Sequence, residues 1–236
     1  MAARSPTLGS SRLRRLAQRP THQEEAAAHR DAPETCELCS ELIGPEHRHL
    51  VDIPNHKLMC ACRPCALLFE GAQAGDGRYR TVPDRRLYIE DFELDDARWA
   101  SLQVPVDMAF FFHSSPAERV MAFYPSPMGA TESLLELEAW RDIEQANPIL
   151  TEIEPDVEAL LVNRAMGARG HWVAPIDDCY DLVGLIRSRW KGLSGGQEVW
   201  EEIERFFEQL GRRAKVCTRG VVQESNAPVA QATGGG

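Results

Sequence analysis

The spacing of apolar residues along this 236-residue chain predicts short strands in its middle and long helices near its end. Residues 78–82 and 87–92 read as two short strands around a Pro83-Asp84 turn. Residues 106–112 and 120–124 are aromatic-rich strand candidates, separated by Ser114-Ser115-Pro116. Two more strands, 157–162 and 171–174, flank a stretch with Gly167 and Gly170. Between them, Asp95 is placed to cap a short helix over 95–103. Leu137, Trp140 and Ile143 share one face of a helix over 136–146, whose end Asn147-Pro148 disturbs.

The last two helices carry the clearest period. Cys179, Leu182, Val183, Ile186 and Trp190 lie on one stripe. Ser194 and Gln197 have capping-box spacing, so a new helix is expected to start there. Its buried face reads Trp200, Ile203, Phe207 and Leu210, with Gly211 suited to the C-cap. The expected class is α+β, a mostly antiparallel sheet with C-terminal helices. No repeat at periods of about 20–50 residues points to a solenoid.

Composition narrows the function. At 43% hydrophobic the chain has material for a core and is not wholly disordered. No apolar run approaches the roughly 18 residues of a membrane span, so no membrane contact is expected. The net charge of −10 weighs against nucleic acid as a partner. That charge is uneven. Arg4, Arg12, Arg14, Arg15 and Arg19 stand in a stretch without acids, superficially like a transit peptide. No long apolar segment follows Arg14-Arg15, so an export signal is not expected. Residues 1–32 are therefore expected to be a flexible basic arm and 215–236 a flexible tail. Residues 132–158 carry nine acids and one arginine, the pattern of a solvated face.

The chemistry is concentrated in residues 33–72. Cys36-Glu37-Leu38-Cys39 and Cys62-Arg63-Pro64-Cys65 are two CxxC pairs 22 residues apart. Each pair lets two thiolates converge on one ion, and two pairs complete a tetrahedron. Between them, residues 49–53 and 57–59 form a hairpin around Pro54-Asn55-His56, and a helix begins on the second pair. That order is a treble clef, or zinc-ribbon-like module. The predicted ligands are Cys36, Cys39, Cys62 and Cys65, holding Zn²⁺, with iron as the alternative. A redox disulfide is a third option without a thioredoxin-like context. Gly71, Gly75 and Gly77 mark the boundary to an α+β domain over residues 77–214.

Other chemistry is thin. Cys60 is an extra thiol, open to exchange as a ligand. His47, His49 and His56 read foremost as surface histidines, with an alternative ligand or a second site as the other options. An HNH-like metal-dependent hydrolase would use His47 or His49, but the helix after the second pair offers no His or Asn to complete it. His113 reads as an exposed strand-end residue and Cys179 as core. Asp177 and Asp178 read as first-turn acids complementing a helix dipole. Ser194-Gly195-Gly196 is explained by capping without an anion.

Across residues 34–214 the sequence resembles a family of uncharacterised proteins from high-GC bacteria, a domain of unknown function. The resemblance rests on the two CxxC pairs, His47-Arg48-His49-Leu50-Val51-Asp52, Tyr124-Pro125-Ser126-Pro127, Pro155-Asp156-Val157-Glu158, Pro175-Ile176-Asp177-Asp178-Cys179-Tyr180 and Trp190-Lys191-Gly192-Leu193-Ser194. It departs at Ser40, where a knuckle prefers glycine. The resemblance implies an accessory role, encoded near nickel–iron hydrogenases and their maturation factors. Five cysteines clustered within thirty residues describe a metal site in a reducing compartment, not a disulfide framework. The expectation is a cytoplasmic accessory or interaction protein with a protein partner, not an enzyme. An iron–thiolate electron-transfer protein is the alternative. Oligomeric state is left open by the sequence.

Overall fold

A computed structural model describes residues 34–69, 77–134, 137–192, 194–218 and 221–222. The expected basic arm, the glycine-rich boundary up to residue 76 and the tail beyond residue 222 lie outside them.

The first hairpin pairs β1 (Arg48–Asp52) with β2 (Lys57–Ala61), and helix α1 (Arg63–Leu68) follows directly. Its turn is a 3-10 segment over Ile53–Asn55, closed by His56 at φ 48°. Strand β3 (Tyr79–Thr81) pairs with the other edge of β1, giving the order β2-β1-β3. Pro83-Asp84 thus joins two sheets rather than two strands of one hairpin.

The large sheet holds β4 (Leu87–Ile89), β5 (Met108–Ser114), β6 (Arg119–Ser126), β7 (Gly129–Ser133), β8 (Glu158–Asn163), β9 (Gly170–Pro175), β10 (Lys215–Thr218) and β11 (Val221–Val222). Their order is β11-β10-β4-β9-β8-β5-β6-β7, antiparallel except where β10 lies parallel to β4. Helices α2 (Asp96–Ser101) and α3 (Leu137–Ala146) cover one face; α4 (Ile176–Arg189) and α5 (Gln197–Arg213) cover the other. The fold is α+β, as the pattern predicts.

Coverage on both faces explains why β5, β8 and β9 read as nearly unbroken apolar runs. Ala109 and Phe111 point to the α2–α3 side, where Phe111 stacks on Trp140 at 5.0 Å. Phe110 and Phe112 point to the α4–α5 side, and Phe110 meets Tyr180 at 5.9 Å. Val51, Ile53 and Val82, from the small sheet and its flanks, are buried in that same core. The hairpin of the cysteine segment is therefore seated against α4.

Five local expectations change. Helix α5 is capped by Gly196 at φ 79°, with no side-chain cap bond, so the Ser194–Gln197 box does not form. Gln197 instead bonds Glu201 at 3.0 Å. The helix also runs through Gly211 to Arg213, and Val199 takes the buried place expected of Trp200, which is half-buried. The acidic run is not wholly solvated. Glu158 is fully buried against Arg85, and Asp156 accepts from the backbone N–H and the hydroxyl of Ser115. Cys217, expected in a tail, is buried in β10.

Candidate metal centre

The first CxxC turns tightly because Ser40 N–H donates to the Cys36 carbonyl at 2.8 Å. Ser40 sits at φ 64°, the left-handed conformation that made glycine the expected residue there. Glu37 N–H donates to the Cys60 carbonyl at 2.9 Å, tying the knuckle to β2. The second CxxC is set by α1, for which Cys62 is the N-cap residue. Ala66 N–H closes the first turn onto the Cys62 carbonyl at 2.9 Å.

These two turns bring one sulfur each from Cys36, Cys39, Cys62 and Cys65 within 4.8 Å of one another. Cys39 Sγ and Cys62 Sγ are 3.6 Å apart. A disulfide needs about 2 Å, whereas sulfurs at about 2.3 Å from one tetrahedral ion stand about 3.8 Å apart. The arrangement fits an ion better than a bond. Burial alone would raise the Cys36 thiol, but backbone N–H groups of Cys62, Cys39 and Leu38 outweigh it and bring its pKa down to about 6. The Cys65 thiol goes far up, because it shares hydrogen bonds with Cys62 first and is desolvated second.

Leu50, Ala61 and Ala66 pack with Cys36 and Cys62 into a small core of their own. On its outside, Leu42, Leu67 and Leu68 are 65%, 55% and 71% exposed.

The histidines divide. His56 is exposed, as expected. His47 and His49 are not simple surface residues: their rings meet edge to face with centroids 4.7 Å apart. A ring nitrogen of each lies within 4.8 Å of the other and of Cys60 Sγ. His49 Nδ1 is 2.8 Å from Asp177 Oδ2 on α4, a contact that raises the histidine's pKa against the opposing effect of burial. Burial, followed by Glu34 and Glu37, pushes the Cys60 thiol up. Cys60 thus faces the histidine pair and is not gathered with the other four cysteines. Helix α1, Arg-Pro-Cys-Ala-Leu-Leu, carries neither the His nor the Asn of an HNH site.

His113 is exposed in β5, and Cys179 is fully buried with its thiol pushed well up by desolvation. The sequence did not single out Arg86. Its guanidinium grips Asp178 through two bonds of 2.6 and 2.9 Å, both side chains being buried. Asp177 and Asp178 lie in the first turn of α4, as expected, and in addition anchor two other parts of the chain to it, His49 and Arg86. Two adjacent acids at the start of a helix whose Ile176, Cys179, Leu182, Val183 and Ile186 form the buried stripe were the available signal.

Residues 35–214 match a protein family whose description is "family of unknown function", DUF5947. No curated protein and no solved structure matches the chain. Among the described residues, no helix is long and apolar enough to cross a membrane.

Proposed function

The chain belongs to the DUF5947 family, whose function is unknown, and we propose that it is a zinc-stabilised accessory protein of the cytoplasm, not an enzyme. The observation that carries this reading is the convergence of four cysteine sulfurs from two short turns, with no fifth His, Cys, Asp or Glu grouped with them among the described residues. Cys36, Cys39, Cys62 and Cys65 are the proposed ligands. Four thiolates at CxxC spacing suit closed structural zinc; the same donors in an iron–thiolate electron-transfer site are the alternative. Bound zinc would supply a cross-link between knuckle and helix rather than a reacting group.

The surface so fixed has a character of its own. Leu42, Leu67 and Leu68 expose apolar side chains on the module, and a protein partner that covers them explains why they remain apolar. The resemblance in sequence suggests that this partner is a metalloenzyme such as a nickel–iron hydrogenase, or its maturation machinery. Purification of the tagged chain from its own cells tests this. A specific partner recovered with the wild type and lost with Leu67→Glu/Leu68→Glu supports the proposal; a partner retained by that variant overturns the surface.

A further inference from the structure

We propose that His47, His49 and Cys60 form a second metal site, separate from the four-cysteine cluster, for a divalent transition-metal ion of the zinc class. The strand geometry makes the triad. His49 and Cys60 are directly paired residues of β1 and β2, so their side chains share a face. His47 precedes His49 by two positions and falls on that face as well. Leu50 and Ala61, on the opposite face, belong to the small core beside the four cysteines. The hairpin therefore separates two donor sets, four sulfurs on one side and two imidazoles with a thiol on the other.

Second partners hold both rings as metal-ligating histidines are held. His49 Nδ1–H donates to Asp177 Oδ2 at 2.8 Å. His47 Nδ1 is 3.0 Å from the Gly44 carbonyl oxygen, with Glu34 Oε2 at 3.3 Å. A carboxylate or carbonyl on Nδ1 fixes the tautomer and leaves the lone pair of Nε2 for an ion. For His47 that nitrogen is an orphan. Its side chain is 8% exposed, and its Nε2 is buried without a hydrogen-bond partner. A buried unpaired ring nitrogen is costly, and an ion shared with His49 and Cys60 would satisfy it.

The donor set also defines what the site takes. Two imidazoles and one thiolate suit zinc and its neighbours better than calcium or magnesium. Three protein ligands leave a fourth position for water or another small donor. Ligand bonds of about 2.0–2.3 Å place donors roughly 3.2–3.8 Å apart, a spacing that donors already within 4.8 Å of one another reach by small side-chain movements.

The test is metal stoichiometry on the full chain, equilibrated with zinc and desalted. Two zinc ions per chain are expected for the wild type, and one for Cys60→Ser and for His47→Ala. Cobalt(II) added to protein that already holds one zinc should develop visible ligand-field bands with a thiolate charge-transfer band, and Cys60→Ser should lack the latter. Asp177→Asn should weaken the second ion about 10–100-fold and leave the first in place. One ion in the wild type, or two in both Cys60→Ser and His47→Ala, overturns the site.

Discussion

His49 Nδ1 lies 2.8 Å from Asp177 Oδ2, and this single contact ties the strand between the two cysteine pairs to the first turn of α4. The residues are 128 positions apart, so the bond holds the cysteine segment to the sheet-and-helix layer in the same place that Val51 and Ile53 do by burial. Asp177→Ala leaves the imidazole without its partner and should cost about 1–2 kcal/mol. Urea unfolding of Asp177→Ala, His49→Ala and the double variant should give a coupling energy above about 0.5 kcal/mol. Strict additivity would show that the contact contributes nothing.

The neighbouring acid makes a stronger prediction. Arg86 and Asp178 are both buried and bonded twice. Removing Asp178 leaves the buried guanidinium only the exposed carboxylate of Asp84, so Asp178→Ala should destabilise by about 3 kcal/mol. Replacing both, as Arg86→Met with Asp178→Leu, should cost less than Asp178→Ala alone. Equal losses in denaturant titrations would mean that the pair is not desolvated as described.

His171 gives the pH dependence. Its ring stacks on Phe92 at 4.7 Å with Nε2 buried and unbonded, and burial, then Arg164 and Arg169, hold its pKa at about 4. The unfolded chain binds this proton near pH 6.5, so between about 6.5 and 4 the unfolded state holds more protons. Stability from this group is therefore full above about pH 6.5 and falls as the pH drops through the folded value, by about 3 kcal/mol in all. Relative to His171→Leu, the wild type should lose about 2 kcal/mol between about pH 7.5 and 5. A constant difference between the two proteins would contradict the burial of a neutral imidazole.

How much of this was legible beforehand follows from the range of each interaction. The CxxC pairs, the hairpin and α1 are local in sequence, and spacing alone anticipated them. Ser40 did too, since a knuckle constrains φ at that one position. The stripe from Cys179 to Ile186 appeared because only one side of α4 is buried. What escaped was non-local or depended on exact helix phase. β10 pairs with β4, more than a hundred residues earlier, and a short run such as Lys215–Thr218 has no period to betray it. Glycine backbone geometry at Gly196 displaced the capping box that Ser194 and Gln197 spell out. His47 and His49 looked like surface residues because their partners, Asp177 and the cross-strand Cys60, can be located only once strand register and helix docking are known.

The central claim is that Cys36, Cys39, Cys62 and Cys65 hold one structural zinc ion. Elemental analysis and an absorption spectrum of the full chain, purified without added metal, test it most directly. The account predicts a colourless protein with bound zinc, of which one equivalent persists in Cys60→Ser and is lost in Cys36→Ser together with ordered structure in β1 and β2. Visible iron–thiolate absorption, or a Cys36→Ser variant with unchanged metal content and stability, would contradict it.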